Sequence, residues 1–353
     1  MTSILQEILD VIIGYATADQ LCYFSSISLV SHIFHQIVLP YKFSSLTFQV
    51  DNNHPPDHST VIIPKFFGAI HAGDAHALSL APLVQELGLY HWGLSKDRVE
   101  LFEKIINVAL SFRNLAKLSI VGCSASLAIM ERLGKLVQLQ SLRTSTCRDA
   151  EYHMPVVSYG ALSNLQSLHT LDCMHDYVHS QRHLASIPMK ALRILRSNDW
   201  EVTKAVLTAD PPVQLKKLQL YHDFREDYML LWNYLARATS LTHLSLPNLE
   251  FQLPHPSFIF PLQELQYLHV HVVLAPLFAD QPMKKMEISS ESSYRIRVID
   301  PVRINLKIEL VRQHWQGIVF PHVQHLITDL SYAMDSFPFE FWREFLPNLE
   351  EVQ

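Results

Sequence analysis

The sequence predicts an α/β solenoid, a curved parallel sheet with helices on its outer side, preceded by a small helical unit. The main observation is an apolar pattern, L-x-x-L-x-(I/L/V/T), that occurs eight times between residues 115 and 288. Most copies start 24 or 26 residues after the previous one, a period typical of leucine-rich-repeat solenoids. Because stacked repeats bury one another's edges, eight copies are enough for a continuous core. The copies start at Leu115, Leu139, Leu165, Met189, Leu215, Leu241, Leu265 and Met283.

Each copy is predicted to form a strand whose side chains alternate between the core and the concave face of the sheet. The second and third apolar positions face the core, and the residue between them faces the concave side. Cys123, Cys147 and Cys173 favour this phase, since each falls eight residues after the first apolar residue of its copy, where such repeats prefer Asn or Cys. The predicted concave middle positions are Ser119, Arg143, His169, Arg193, Gln219, Ser245 and His269.

Helical spacing of apolar residues between copies predicts the returning helix of several repeats, as at Ile105 with Ile106 and at Leu231 with Leu235. Weaker copies of the pattern predict further strands on both sides of the block. Their apolar residues are Leu46 and Phe48, Leu87 and Leu89, Val323 and Leu326, and Leu349 and Val352. Between the last strong copy and Val323 the period breaks, and alternating apolar residues predict a β-hairpin insertion at about 292–312.

Composition narrows the function classes. The chain has 353 residues, 48% of them hydrophobic, and a formal net charge of -6 without long runs of Lys or Arg, which argues against nucleic acid as the main partner. No run approaches the apolar length of a membrane span, and Glu7 and Asp10 interrupt the start where a signal peptide would be apolar. Four cysteines, three of them placed by the repeat, fit a reducing compartment. We therefore expect a cytoplasmic or nuclear protein without a membrane partner.

A segment of different character precedes the repeats, and its helical stripe contains Ile4, Leu5, Ile8, Leu9, Ile12 and Ile13. Residues 5–10 read LQEILD, residues 28–34 read SLVSHIF and residues 46–48 read LTF. These blocks resemble an F-box of the fungal type followed directly by its first repeat strand. In that family the two blocks read L-P-x-E-I-L and S-L-V-S-(R/K/H)-x-(W/F), and the resemblance covers about residues 4–45.

The resemblance implies that residues 1–45 dock on a Skp-type adaptor, which links the chain to a cullin, while the solenoid at 46–353 binds a protein substrate. The chain would then be a substrate receptor of a Skp-cullin-F-box ubiquitin ligase. Gln6 stands where the family usually has Pro. The alternative is an interaction scaffold whose helical unit only caps the first repeat, because solenoid ends need caps. The adaptor-binding residues that the resemblance implies are Leu5, Glu7, Ile8, Leu9, Leu29, Val30 and Phe34.

One group of residues has metal-ligand spacing: Cys173, His175, Asp176, His179 and His183. Three histidines at four-residue intervals would share one helix face and could bind a transition metal, which keeps a metal hydrolase as a third hypothesis. A solvated polar face is the other interpretation, since the chain has 20 His. With 9 Gly, no phosphate-binding glycine loop and no G-x-S-x-G elbow, we expect neither a cofactor nor a catalytic activity.

The interleaved strand residues predict a binding surface instead. They combine cationic and aromatic side chains, which are favoured at binding hot spots, although solvated strand residues are the alternative interpretation for each of them. The expected partner is a protein segment with acidic or phosphorylated side chains. The predicted partner-binding residues are Arg143, His169, Arg193, Lys217, Tyr221, His243, Tyr267, His269 and His271.

Overall fold

The computed structural model describes residues 39–40, 42–49, 58–93, 96–123, 131–145, 164–174, 190–210, 212–221, 228–247, 260–289, 312–313, 315–328 and 339–352. Most of the predicted helical unit at 1–45, the histidines after Cys173, and all but the last residue of the predicted hairpin at about 292–312 lie outside these ranges. The chain divides into two compact units, Met1–Val157 and Ser158–Gln353. Within the described residues, no helix has both the length and the apolar character required to cross a membrane.

The first unit contains four parallel strands that pair in chain order within the described residues. The strands are β1 Ser45–Gln49, β2 Glu86–Gly93, β3 Lys117–Cys123 and β4 Ser141–Ser145. The described helices of this unit include α1 His58–His71, α2 Ala75–Leu80 and α3 Lys96–Ala109, and a 3-10 turn covers Ala81–Leu83. The strands predicted at Leu46 and Leu87 are thereby confirmed.

The second unit contains eight described strands, again parallel and paired in chain order. They are β5 Thr170–Met174, β6 Ile194–Ser197, β7 Lys217–Leu220, β8 His243–Leu246, β9 Tyr267–His271, β10 Lys285–Ser289, β11 His325–Thr328 and β12 Glu351–Val352. The helices that the structure describes here include α4 Trp200–Leu207, α5 Tyr228–Leu235 and α6 Phe339–Arg343, with a 3-10 turn at Ala275–Phe278. The predicted α/β repeat solenoid is confirmed for the described strands.

Leucines at equivalent strand positions form the core of each unit. Leu87, Leu118 and Leu142 pair across β2, β3 and β4 and are at most 1% exposed. In the second unit the same position is held by Leu171, Leu195, Leu218, Leu244, Leu268, Met286 and Leu326, all of them fully buried. Full burial of such a side chain stabilises by about 1.5–3 kcal/mol, so each rung is held mainly by its neighbours.

The returning helices bury one apolar stripe against these strands. Ile105 and Ile106 on α3 are fully buried, and so are Leu231 and Leu235 on α5, as the helical spacing predicts. Helix α4 begins at an N-cap: the Asp199 carboxylate accepts hydrogen bonds from the amides of Glu201 and Val202. The cap fixes where α4 begins, directly after β6.

The predicted phase of the third and fourth copies is wrong by three residues. Leu171 pairs with Leu195 in the core position that the prediction gave to Leu168 and Leu192. The physical reason is that Leu165, Leu168 and Leu171 are all fully buried at three-residue spacing, so the L-x-x-L window fits the sequence in two ways.

The same shift corrects the prediction for Cys173. This buried cysteine pairs with Ser197 at the third apolar position of the repeat, and it does not occupy the Asn/Cys position. Cys123 ends β3, and Cys147 lies outside the described residues.

Candidate partner-binding face of the strands

Strand side chains of the second unit alternate between the buried ladder and a partly exposed side, which we call the strand face. In β6, β7 and β10 the exposure switches at every residue. The backbone register then aligns two rows on the strand face. The first row contains Ile194, Lys217, His243, Tyr267, Lys285 and His325, and the middle row contains Asp172, Arg196, Gln219, Ser245, His269 and Glu287.

Five of the predicted partner-binding residues lie together on this face. Lys217, His243 and Tyr267 are consecutive members of the first row, and His269 is in the middle row. Tyr221 directly follows β7, where its amide donates a hydrogen bond to the carbonyl of Ser197. Their common placement results from the regular alternation of the strands, since every position is two residues from its neighbour on the same side.

His169 and Arg193 do not lie in the middle row, contrary to the prediction. They precede β5 and β6, and the carbonyl of His169 accepts the amide of Arg193 at 2.8 Å. The three-residue shift explains the error, because it replaces them in the middle row with Asp172 and Arg196. The Arg193 guanidinium instead donates to the carbonyls of Lys190 and Leu192.

His271 also differs from its predicted exposure. It ends β9 on the side of the strand face, but it is only 8% exposed. The turn after β9 contacts it, since the amide of Val273 donates to Nδ1 at 3.4 Å. Burial leaves little of the imidazole for a partner.

Arg143 belongs to the first unit and takes its predicted place there. It is the middle residue of β4, pairs in register with Ser119 of β3, and is exposed. The predicted adaptor-binding residues, by contrast, all lie outside the described part of the chain: Leu5, Glu7, Ile8, Leu9, Leu29, Val30 and Phe34.

A polar network joins three strands at the centre of the strand face. Ser245 Oγ lies 3.1 Å from His269 Nδ1, and His269 Nε2 lies 3.7 Å from Glu287 Oε1. The Tyr267 hydroxyl donates a hydrogen bond to the other carboxylate oxygen, Oε2 of Glu287. Each member fixes the orientation of the next, so the face is organised in advance of any binding event.

The surroundings shift two ionisations on this face. Burial, and then the hydrogen bond to the Glu287 carboxylate, raises the pKa of Tyr267 well above its usual range. Burial lowers the pKa of His243, and the neighbouring Lys217 charge adds to that effect. The phenol therefore remains a hydrogen-bond donor and the His243 ring is kept neutral, its ring centroid 5.7 Å from that of Tyr267.

The middle row carries an ion pair that the sequence prediction missed. Arg196 Nη1 lies 3.6 Å from Asp172 Oδ2, and the guanidinium carbon lies 5.3 Å from the ring centroid of Tyr221. Lys285, which extends the first row, was also missed. Both positions follow from the sequence once the register is known, because Arg196 directly follows the buried Leu195 and Lys285 directly precedes the buried Met286.

Tyr90 is a further residue that pattern reasoning missed, in the first unit. Its ring covers Gly88, and a Cβ built on Gly88 would lie 2.6 Å from Tyr90 Cε2. A glycine between Leu87 and Leu89 in a strand was the available signal, since such a residue often marks a close approach.

The network contains a Ser, a His and a Glu, but its geometry supports recognition better than nucleophilic attack. Ser245 is only 1% exposed, which keeps its hydroxyl away from a substrate carbonyl. Among the described residues there is also no group of three or more His, Cys, Asp or Glu arranged to hold a metal ion. Directional donors and aromatic rings on a fixed sheet are what a protein segment can use.

No family model matches the chain, and no curated protein matches it. Among solved structures the chain is similar to an internalin, InlF, from Listeria monocytogenes str. 4b F2365, with 11% sequence identity and a TM-score of 0.34. The similarity covers 79% of this chain and 70% of that chain. The fold assignment rests on the strand ladder of this chain itself.

Proposed function

We propose that the chain is a non-catalytic receptor that binds a protein partner on the strand face of its repeats. The observation that carries the proposal is the row of neighbouring cationic and aromatic side chains on β7, β8 and β9, held beside the Ser245–His269–Glu287 network. Repeats suit this role because a stack of strands presents many side chains on one continuous face.

We further propose that the partner is a substrate of a Skp-cullin-F-box ubiquitin ligase, in the cytoplasm or nucleus. The support is the resemblance of residues 5–10 and 28–34 to an F-box. In this role the chain contributes proximity: it raises the effective concentration of a substrate near the ligase, and other subunits transfer ubiquitin.

Affinity capture with the full chain tests the receptor proposal. Replacement of Ile8 and Leu9 by Asp should remove Skp-type adaptor and cullin from the captured proteins, while other partners stay bound. Gln6→Pro is the matched variant in the same segment, and it should increase adaptor capture because it restores the residue usual in the family.

Gln6 itself favours the second candidate, a scaffold whose amino-terminal segment is only a cap. If the unmodified chain and the Gln6→Pro variant both capture no Skp-type adaptor while protein partners are recovered, the ligase role is refuted and the scaffold is favoured.

A further inference from the structure

A band of cationic side chains follows the amino-terminal edge of β6 to β10. Two positions of each strand form this edge: the first strand residue and the residue directly before it. The backbone carbonyl of that preceding residue accepts hydrogen bonds from two amides of the next strand. Of these ten positions, five carry a Lys or Arg and none carries an acid, although the chain has a net charge of -6. The ten residues are Arg193, Ile194, Lys216, Lys217, Thr242, His243, Gln266, Tyr267, Lys284 and Lys285.

The lysines of this band are not paired with acids in the part of the chain that the structure describes. Lys216 and Lys217 on one rung, and Lys284 and Lys285 on another, form no ion pair with any residue that the structure describes. Lys117 occupies the same strand position in β3 of the first unit, yet it pairs with Glu86. Unlike Lys117, these four lysines can therefore offer their ammonium groups to an acidic partner.

The two lysine pairs have a defined separation. Lys217, His243, Tyr267 and Lys285 lie on four consecutive rungs in register. Strands are spaced by about 4.8 Å, so three steps separate the two lysine positions by about 14 Å. An extended chain advances by about 3.4 Å per residue, so four residues span the same ~14 Å, and their alternate side chains point the same way.

Aromatic rings fill the rungs between the lysines. The ring centroids of His243 and Tyr267 are 5.7 Å apart, and the hydrogen bond from the Tyr267 hydroxyl to Glu287 holds that ring in place. A bound segment would therefore contact Lys217 first, then the rings of His243 and Tyr267, and then Lys285.

We propose that this band binds an extended protein segment with two acidic or phosphorylated side chains four residues apart. One acid lies at Lys216 and Lys217, the other at Lys284 and Lys285, and the side chain midway between them lies between the rings of His243 and Tyr267. This inference rests on the proposed protein-binding function of the repeats and specifies the chemistry of their partner. Charge-assisted hydrogen bonds and an aromatic anchor together select the segment.

Fluorescence anisotropy with the full chain tests the spacing. The probes are labelled Gly/Ser peptides with one Glu, a Phe two residues later, and a second Glu four, six or eight residues after the first, so that all three side chains point the same way. We expect the four-residue separation to bind about fivefold more tightly than the other two. The double variant Lys217→Ala/Lys285→Ala should bind the peptide with the four-residue separation about tenfold more weakly. Lys117→Ala is the matched control, and it should leave binding unchanged; circular dichroism verifies that all variants are folded.

Equal affinity for the three separations, or equal binding by the Lys217→Ala/Lys285→Ala variant, would overturn the inference. So would tighter binding of a labelled oligouridylate probe than of the best peptide through the same lysines, since it would identify a nucleic-acid surface. Adaptor capture depends on the amino-terminal segment and is measured separately. Loss of peptide selectivity with adaptor capture intact would therefore refute the spacing and leave the receptor proposal standing.

Discussion

The Tyr267 hydroxyl donates a hydrogen bond to the Glu287 carboxylate, and the two residues lie on neighbouring strands of the second unit. The same carboxylate lies 3.7 Å from His269 Nε2, so one acid orients two rings. The phenol is therefore held in one orientation before a partner binds. This reduces the side-chain conformational entropy that is lost on binding.

The first prediction concerns this pair. Glu287→Gln removes the negative charge and the carboxylate acceptor, two of the causes that raise the pKa of Tyr267, while burial remains. We expect the pKa of Tyr267 to fall toward its ordinary value of 10.0. Ultraviolet titration of the variant, minus the same titration of its Tyr267→Phe derivative, isolates this phenol. An unchanged titration would show that the carboxylate does not face the hydroxyl in solution.

The second prediction tests the corrected register. Leu171 is fully buried beside Leu195, so Leu171→Ala should lower the free energy of unfolding by about 2–5 kcal/mol. Thr170→Ala changes the adjacent, partly exposed residue and should alter it by less than about 0.5 kcal/mol. Chemical denaturation measures both. If the two substitutions are equally mild, the phase originally predicted from Leu165 is the right one.

The third prediction concerns Gly88. A methyl group there would meet the Tyr90 ring at 2.6 Å, and because the contact is with the far end of a half-buried side chain, Gly88→Ala should turn the ring away at a cost of about 0.5–1.5 kcal/mol. Tyr90→Ala removes the obstacle, and in that background Gly88→Ala should cost little. A double-mutant cycle of unfolding free energies gives the coupling. Additive effects of the two changes would contradict the contact.

The fourth prediction gives a pH dependence. Tyr234 is fully buried, its hydroxyl donates to the Val213 carbonyl at 2.8 Å, and burial raises its pKa to about 12 from 10.0. The folded state thus favours the protonated phenol. The stabilisation that Tyr234 contributes to the folded state is complete below pH 10 and is lost as the pH rises toward about 12.

Tyr234→Phe should remove that alkaline loss, at a cost near neutral pH of about 0.5–1.5 kcal/mol for the hydrogen bond. Urea unfolding at a series of pH values measures both effects, and Tyr228→Phe on the same helix is the control. Identical pH profiles for the unmodified chain and Tyr234→Phe would mean that other groups set its alkaline stability.

Sequence reasoning went furthest where burial follows a strict period. The strands around Leu118, Leu142, Leu218, Leu244 and Leu268 were predictable because a leucine pair at fixed spacing has one way to face the core. It failed at Leu165, Leu168 and Leu171, since three buried leucines at equal spacing leave the register to be decided by hydrogen bonds with neighbouring strands.

The strand face was predictable in its residue types but less so in its contacts. Lys217, His243 and Tyr267 were placed by alternation alone. The link from Ser245 through His269 to Glu287 joins residues 42 positions apart, and only the pairing of three strands brings them together. The burial of His271 depends on a turn that carries no repeat pattern.

The connections between neighbouring strands of the ladder differ widely in length. Leu268 and Met286 are 18 residues apart in sequence, whereas Met286 and Leu326 are 40 apart, yet both pairs sit in the same register. Insertions and deletions can therefore accumulate in these connections while the recognition chemistry keeps its geometry. Lineages of such a protein would diverge in length faster than in the side chains that meet a partner.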